Sequence, residues 1–418
     1  MRACPMGNYL SGSAHPIVGG LPAGAVPVRA SWPDGSVELV EVPSGAVRSA
    51  EAPAVALSLD ALRFAPGSRR WGGPADAIRR LVEHERLPLP AGLIFHSGRC
   101  GSTLLANMLS AHPGLRVLNE SAVINQFLLN RRAGADELRT LTRAFSRGLP
   151  AGARVVVKTS SWNVLDAPGI LAALPGVPTV FIWRHAADVV ASCLHSASAW
   201  AEEPTMRRWL MRRIAPSTSD QPLSAAEFYA RAWQEMTRAG VALAETAGDR
   251  VRVVRYDELR ARPVELAAEI AAAFGAPVTG AVAGGMRRTA RIYSKDPVGR
   301  AVFDPGGVHA RPELPERERV LVASLTAPNA PTGERNMPES HSVRPEDIRV
   351  DTLTALGPQL PHRGRGPGRP GVRLRHGRPQ PARQRHRAHL IATSQQERTC
   401  QKPAHCGRKT SRSRRSLR

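Results

Sequence analysis

The stretch LIFHSGRCGSTLLANMLS, Leu93 to Ser110, decides how this chain is read. Leu93 to Phe95 is a short apolar run of the kind a buried strand needs. Gly98 and Gly101 permit a turn that residues with a Cβ resist. Leu104, Leu105, Met108 and Leu109 then fall at helical spacing and give one apolar face. The stretch predicts strand, tight turn, helix. Ser102 and Thr103 open that helix, where unpaired N–H groups and the helix dipole favour an anion. Arg99 adds a full positive charge in the turn. A phosphate or a sulfonate suits such an element.

A nucleotide-binding P-loop requires G-x-x-x-x-G-K-[ST]. Here the glycines are closer, as G-R-C-G-S-T, and no Lys precedes Ser102. That disfavours an ordinary ATP or GTP site.

Further along, Leu115 to Leu118, Arg154 to Lys158, Thr179 to Trp183 and Val251 to Arg255 read as buried strands. Helices are predicted over Ala122 to Arg132, Asp136 to Arg147, Ala186 to Trp200, Ser224 to Thr246 and Pro263 to Phe274. Strands alternating with helices predict a central parallel α/β sheet flanked by helices. Sites in such sheets lie beyond the carboxyl ends of the strands. Polar groups gather at those ends: His96 to Thr103, Asn119-Glu120, Lys158 to Ser161, Arg184 and Tyr256.

The second anchor is FIWRHAADVVAS, Phe181 to Ser192. Arg184 leaves a strand, and Ser192 follows about two helical turns later. A phosphate near that helix start can take a charge-assisted bond from Arg184.

Together the two motifs resemble the PAPS-dependent sulfotransferases, in particular bacterial members, over roughly Pro90 to Asp304. PAPS is 3′-phosphoadenosine 5′-phosphosulfate. The first motif resembles that family's 5′-phosphosulfate loop, with Arg in place of the Lys of animal enzymes. The second resembles its 3′-phosphate motif, matching at Arg184, Asp188 and Ser192. It departs at His185, where Asp is common, and at Ala186, where Pro is common.

The resemblance implies a P-loop-like phosphosulfate-binding loop and transfer of a sulfuryl group to a hydroxyl or amine. It makes PAPS the co-substrate and requires no metal. Ser97, Gly98, Arg99, Cys100, Gly101, Ser102 and Thr103 are then the loop that cradles the 5′ end. Arg184 and Ser192 hold the 3′-phosphate. Lys158 binds cofactor or the developing sulfonate charge, or is a solvated strand end. Lys295, in Tyr293-Ser-Lys-Asp-Pro297, resembles a late lysine that closes over the cofactor.

Arg99 is the candidate on the leaving-group side. Glu120 is the candidate base, with capping of the next helix as its alternative. His96 is the other candidate base, or a structural hydrogen-bond donor at a strand end. Trp162 is a core residue or an adenine platform. Tyr256-Asp-Glu-Leu259 resembles the family's Y-x-x-L and reads as structural. The acceptor is a small molecule, carbohydrate or lipid, met by variable segments such as Ala199 to Pro222. The alternatives are a P-loop-type nucleotide kinase and a non-catalytic anion- or nucleic-acid-binding protein.

Composition frames these readings. The chain has 418 residues, is 42% hydrophobic, and carries a net charge of +23. Pro361 to Arg418 holds 17 Lys/Arg and one acid, so +16 of that charge lies there. That segment has no aromatic residue and cannot offset its ordering entropy by burial. It reads as a disordered basic tail, or as a non-native reading frame of GC-rich coding sequence. Nucleic acid would be met only through it.

Five scattered cysteines, Cys4, Cys100, Cys193, Cys400 and Cys406, argue against a disulfide framework. Cys100 is a tolerated small side chain or a reactive thiol. No apolar run approaches the ~20 residues of a membrane span, and a cytoplasmic protein is expected. The division is 1–88 as a poorly defined N-terminal extension with short strands, 89–335 as the α/β domain, and 336–418 as the tail. Residues up to about 30 read as poorly ordered, Ser36 to Val42 as a strand, and Ala75 to Glu85 as a helix.

Overall fold

Five parallel strands carry the site. They are β5 (Gly92–His96), β6 (Leu115–Asn119), β7 (Arg154–Lys158), β8 (Thr179–Trp183) and β9 (Val251–Arg255), side by side in the order β6-β7-β5-β8-β9. Every pairing among them is parallel. The computed structural model describes residues 15–16, 21–31, 35–42, 53–129, 134–214, 223–294, 301–303 and 313–326. All lie in one compact unit, residues 1–349.

These strands form because their residues are β-branched or apolar and buried on both faces. Leu93, Ile94 and Phe95 are fully buried, as are Val155, Val156 and Val157. Such runs suit a parallel sheet covered on both sides. Two apolar clusters cover it. One holds Leu93, Phe95, Val155, Val157 and Phe181, and the other Ile94, Val156, Val180 and Ile182. Alternate residues of one strand thus face opposite layers.

The chain leaves β5 for β6 on one side and later reaches β8 on the other, so the order reverses beside β5. A crevice opens at such a point beyond the carboxyl ends. The loop after β5 occupies it and runs into the Ser102–Leu109 helix.

The N-terminal region differs from expectation. β1 (His15–Pro16), β2 (Ala25–Ser31), β3 (Ser36–Glu41) and β4 (Arg70–Pro74) form a second sheet in the order β1-β4-β3-β2. Residues 25–30 are therefore ordered strand, because Ala25, Val26, Val28 and Ala30 are buried. Their alternation is masked in sequence by Pro27 and by a register shift between Pro27 and Arg29. This sheet is no appendage, since its apolar residues share a core with Leu93 and Phe95. Ala30 N–H also donates to Gln126 Oε1 at 2.8 Å. Arg147, almost wholly buried, bonds the Ala25 carbonyl at 2.8 Å and Glu85 at 2.9 Å.

The Ala75–His84, Ala225–Ala247 and Pro263–Ala273 helices fall close to their predicted spans. The helix from Ala186 stops at His195 instead of Trp200, and Ala199–Glu202 is a separate short turn. The Gly280–Ala290 helix had no sequence prediction. Among the described residues, no helix is long and apolar enough to cross a membrane. Lys295 and the 336–418 segment lie outside the described residues, as do residues 215–222.

Candidate functional site

The loop after β5 is held in an unusual backbone form. Gly98 and Gly101 have φ of +85° and +80°, and Arg99 itself has φ of +51°. Left-handed residues interleaved with ordinary ones turn backbone N–H groups inward to make an anion-binding concavity. No side chain caps the Ser102–Leu109 helix, so its first N–H groups stay available. A Cβ on Gly101 would come within about 3.0 Å of Tyr256 and Leu259. The Y-x-x-L segment is thus the floor against which this glycine packs.

His96 fixes the loop from below. The Gly98 N–H donates to His96 Nδ1 at 3.1 Å, and His96 Nε2 lies 3.0 Å from the Thr159 carbonyl. Nδ1 must therefore be the acceptor, and the proton sits on Nε2 and is donated to Thr159. Burial, then the nearby Lys158 charge, pushes this imidazole down to about 3. A neutral ring with both nitrogens engaged braces β5 against β7. With both nitrogens engaged, the ring is arranged as a hydrogen-bonding brace, which favours the structural alternative over a base.

Cys100 is equally inert. It is fully buried, its thiol donates to the Ile182 carbonyl at 3.2 Å, and burial pushes its pKa up. A reactive thiol needs the reverse environment.

Arg99 does not reach into the loop with its terminal nitrogens. Its Nη2 donates to the Ser192 carbonyl at 3.0 Å and the Ser196 carbonyl at 2.6 Å. Those carbonyls lie at the end of the Ala186–His195 helix, where a cation is favoured, and that of Ser192 also accepts from the Ser196 N–H at 3.1 Å. The Arg99 Nε is buried and bonds no described residue.

Arg184 binds the same loop from the other side. Its Nη1 donates to the Arg99 carbonyl at 3.3 Å, and its Nε donates to Asp188 at 3.2 Å. Its guanidinium lies 4.4 Å from the Tyr256 ring centre, a cation–π distance. Burial lowers its pKa, with Tyr256 opposing, yet an arginine stays charged. Trp233 Nε1 donates to the Arg184 carbonyl at 2.8 Å and fixes the backbone there. The two sequence motifs, 85 residues apart, thus form one site. Ser192 contributes its carbonyl to Arg99.

At the ends of β6 and β7, Glu120 and Lys158 meet. Lys158 has a side chain with no exposed surface, and its ammonium donates to Glu120 Oε1. The Glu120 side chain is 42% exposed. Burial acts to raise its pKa, but the charge and hydrogen bond of Lys158 outweigh that and hold the carboxyl below its ordinary range. Lys158 is therefore a buried, paired cation and not a solvated strand end. The carboxylate of Glu120 has Lys158 as its partner, in place of the helix N–H groups that a cap would use. No described residue hydrogen-bonds its Oε2.

Behind this pair stands a polar network that sequence reading missed. The Ser160 N–H donates to Asn163 Oδ1 at 2.8 Å, Asn163 Nδ2 to Asn125 Oδ1 at 3.1 Å, and Asn125 Nδ2 to Ser160 Oγ at 3.0 Å. It joins the turn after Lys158 to the helix after Glu120. Asparagines inside helical patterns at 125 and 163 were the available signal. Trp162 is 2% exposed and packs edge-on against Trp209 at 5.0 Å, so it is core. Tyr256 was legible only as structural, though its place at a strand end pointed to the site.

Several buried polar atoms here have no hydrogen-bond partner among the described residues: Ser97 Oγ, Arg99 Nε, Asn119 Oδ1 and Ser121 Oγ. They cluster at the ends of β5 and β6, where a polar ligand supplies what the protein does not. Of these, Ser97 Oγ, Arg99 Nε and Ser121 Oγ can donate, and with two arginines and the uncapped helix start they fit an anionic co-substrate. Among the described residues, no group of three His, Cys, Asp or Glu side chains is placed to hold a metal.

Residues 135–280 match the model of the sulfotransferase family. That span includes Lys158, Arg184 and Ser192; Glu120 and the loop lie before it. Among solved structures, a sulfotransferase from Alicyclobacillus acidocaldarius is 16% identical, with 58% of this chain and 93% of that one covered and a TM-score of 0.35. A sulfotransferase from Mycobacterium avium is 13% identical, with coverages of 50% and 71% and a TM-score of 0.35. The sulfotransferase domain of a Synechococcus olefin synthase is 19% identical, with coverages of 57% and 94% and a TM-score of 0.31. No curated protein matches the chain. The match to the sulfotransferase family model covers about a third of the chain.

Proposed function

We propose that this protein transfers a sulfuryl group from PAPS to a hydroxyl or amine of a small-molecule, carbohydrate or lipid acceptor. The observation that carries this reading is the Arg184 bridge to the Arg99 carbonyl. It brings the 5′-anion loop and the proposed 3′-phosphate arginine into one crevice. An adenosine nucleotide bearing phosphate at both the 3′ and 5′ positions fits that pairing. PAPS supplies the sulfuryl group when bound.

The residues divide the work. Ser97 to Thr103 receive the 5′ end through backbone N–H groups and hydroxyls. Arg184 receives the 3′-phosphate with its Nη2, already aimed by Asp188 and Tyr256. Ser192, one helix away, is the second 3′-phosphate donor. The orphaned Nε–H of Arg99 is the donor for charge growing on the bridge oxygen, while Nη2 stays on the helix carbonyls. Lys158 offers its buried ammonium to the sulfonate oxygens.

In transfer, the acceptor oxygen forms a bond to sulfur as the bridge O–S bond breaks. The electron pair stays with the departing bisphosphate nucleotide. The acceptor proton passes to Glu120, which Lys158 keeps ionised and ready to receive it. Positioning and electrostatics supply the catalysis. Lys295 remains a candidate for closing over the nucleotide.

Calorimetry tests the reading. 3′-Phosphoadenosine 5′-phosphate should bind ~10–100-fold more tightly than AMP, the effect of one charge-assisted phosphate contact. Equal affinity would remove the basis for PAPS. A mass-spectrometric search for products heavier by one sulfonate would then identify the acceptor.

A further inference from the structure

We infer that the N-terminal sheet carries a second oxyanion site, separate from the transfer crevice and independent of the sulfuryl-transfer reading. A cavity of about 570 Å³ is lined by Arg29, Arg63, Phe64, Gly67, Ser68 and Arg70. That volume is in the range of ligand pockets. None of these residues belongs to the loop after β5 or to the polar ends of the parallel strands.

The cup is built on a buried charge. Glu38 on β3 is 8% exposed. It accepts from Arg63 Nε and Nη2, both at 3.0 Å, and from Arg70 Nη1 at 3.5 Å. Arg63 comes from the short Leu59–Phe64 helix above the sheet and is itself 7% exposed. Two arginines are thereby locked in place before any ligand arrives.

Arg29 supplies the third guanidinium. It stands on β2 directly opposite Glu38 in the strand register. Glu38 is already held by the other two arginines. Arg29 makes no hydrogen bond and no close ion pair with any described residue. Asp60 lies within its electrostatic reach. Three guanidiniums thus line the cavity, and that of Arg29 has no hydrogen bond or close ion pair among the described residues.

A preorganised arginine cup recognises a phosphate or sulfate group through forked N–H donors. Phe64, 74% exposed at the rim, has the Arg63 guanidinium 4.8 Å from its ring centre. It is placed to meet an apolar group that carries the anion as an ester.

The test uses the full chain saturated with 3′-phosphoadenosine 5′-phosphate, so that the transfer crevice is filled. Inorganic phosphate and phenyl phosphate are titrated by calorimetry at constant ionic strength. Arg29→Gln should weaken phosphate binding about tenfold or more. Asp60→Asn, which removes an opposing charge, should strengthen it. The pair works in opposite directions, so a general loss of fold cannot imitate the result. Melting temperatures should stay near that of the unmodified protein. If phenyl phosphate binds more tightly than phosphate and loses that advantage in Phe64→Ala, an ester is the ligand. Equal binding of the two, still lost in Arg29→Gln, identifies the free anion. Phosphate affinity unchanged in both Arg29→Gln and Asp60→Asn would overturn the proposal. So would complete loss of phosphate binding once the nucleotide is present.

Discussion

Glu120 and Lys158 are joined twice. The Glu120 N–H donates to the Lys158 carbonyl at 2.8 Å, and the Lys158 ammonium donates to the Glu120 carboxylate. The backbone bond holds Glu120 at φ of +52°, a conformation that non-glycine residues seldom adopt. Such outliers persist where surrounding structure over-determines them. Here two strand ends, β6 and β7, fix one carboxylate over one buried cation.

Breaking that pair should separate stability from turnover. Glu120→Gln leaves the Lys158 ammonium, with no exposed surface, without its counter-charge. A cost of ~3 kcal/mol is expected, since an uncompensated buried charge is strongly destabilising. Lys158→Met in the same chain should recover most of it. If Glu120 is the base, kcat falls ~10²–10⁴-fold in both the single and the double variant. Chemical denaturation beside single-turnover transfer decides the matter. Near-normal turnover in Glu120→Gln alone would mean that Glu120 serves only as Lys158's partner.

Acid should weaken the fold through His96. Its folded pKa of about 3 lies below the ordinary 6.5. The unfolded chain therefore binds more protons between those values. This contribution is complete above pH 6.5 and is lost as pH falls toward 3, at up to about 1.4 kcal/mol per pH unit. Glu120, also depressed, acts in the same direction at lower pH. Melting temperature followed from about pH 7.5 to about pH 4.5 should drop more steeply in the unmodified protein than in His96→Gln. Parallel curves would show that the ring is already protonated in the folded state.

Arg184→Gln should raise the dissociation constant for 3′-phosphoadenosine 5′-phosphate by ~10–100-fold and leave that for AMP nearly unchanged. An equal loss for both nucleotides would place Arg184 in loop support alone, through the Arg99 carbonyl.

Arg99 has a helix to hold as well as a site to serve. Arg99→Ala should lower kcat ~10²–10³-fold if its Nε–H meets the leaving group. It should also cost ~1 kcal/mol for the lost contact to the Ser192 and Ser196 carbonyls. Arg99→Lys keeps the charge without the fork and should retain more stability than activity. The same fractional loss in both would leave Arg99 a purely structural role.

Gly101→Ala tests the turn itself. Its φ of +80° and the approach of Tyr256 and Leu259 to the added Cβ predict a loss of ~1–3 kcal/mol. Because Tyr256 also stacks on Arg184, nucleotide affinity should fall with stability. Calorimetry on the folded fraction would detect unchanged affinity, which would uncouple the turn from the phosphate motif.

What the sequence by itself determined was local and periodic. Apolar runs at 93–95, 154–158, 179–183 and 251–255 are strands because they are short, β-rich and bounded by turn residues. The two glycines of the loop announced a turn that needs positive φ. Gathering of polar residues at strand ends followed from parallel topology alone. β2 stayed hidden because Pro27 and a register shift break its alternation, and only burial against the Ala122–Leu129 helix and the shared core gives it a reason to be extended.

The tertiary structure decided which partner each polar side chain takes. Lys158 and Glu120 are 38 residues apart, and no spacing rule pairs them. His96 looked like a base by its ordinary pKa. Its Nδ1 accepts from Gly98 and its Nε2 donates to Thr159, which leaves no lone pair for a substrate. Arg99 looked aimed at the transferring group, yet its terminal nitrogen caps a helix whose end the sequence placed elsewhere. Side-chain periodicity is a property of one segment, whereas hydrogen-bond partners and desolvation are set by whatever other segments fold against it.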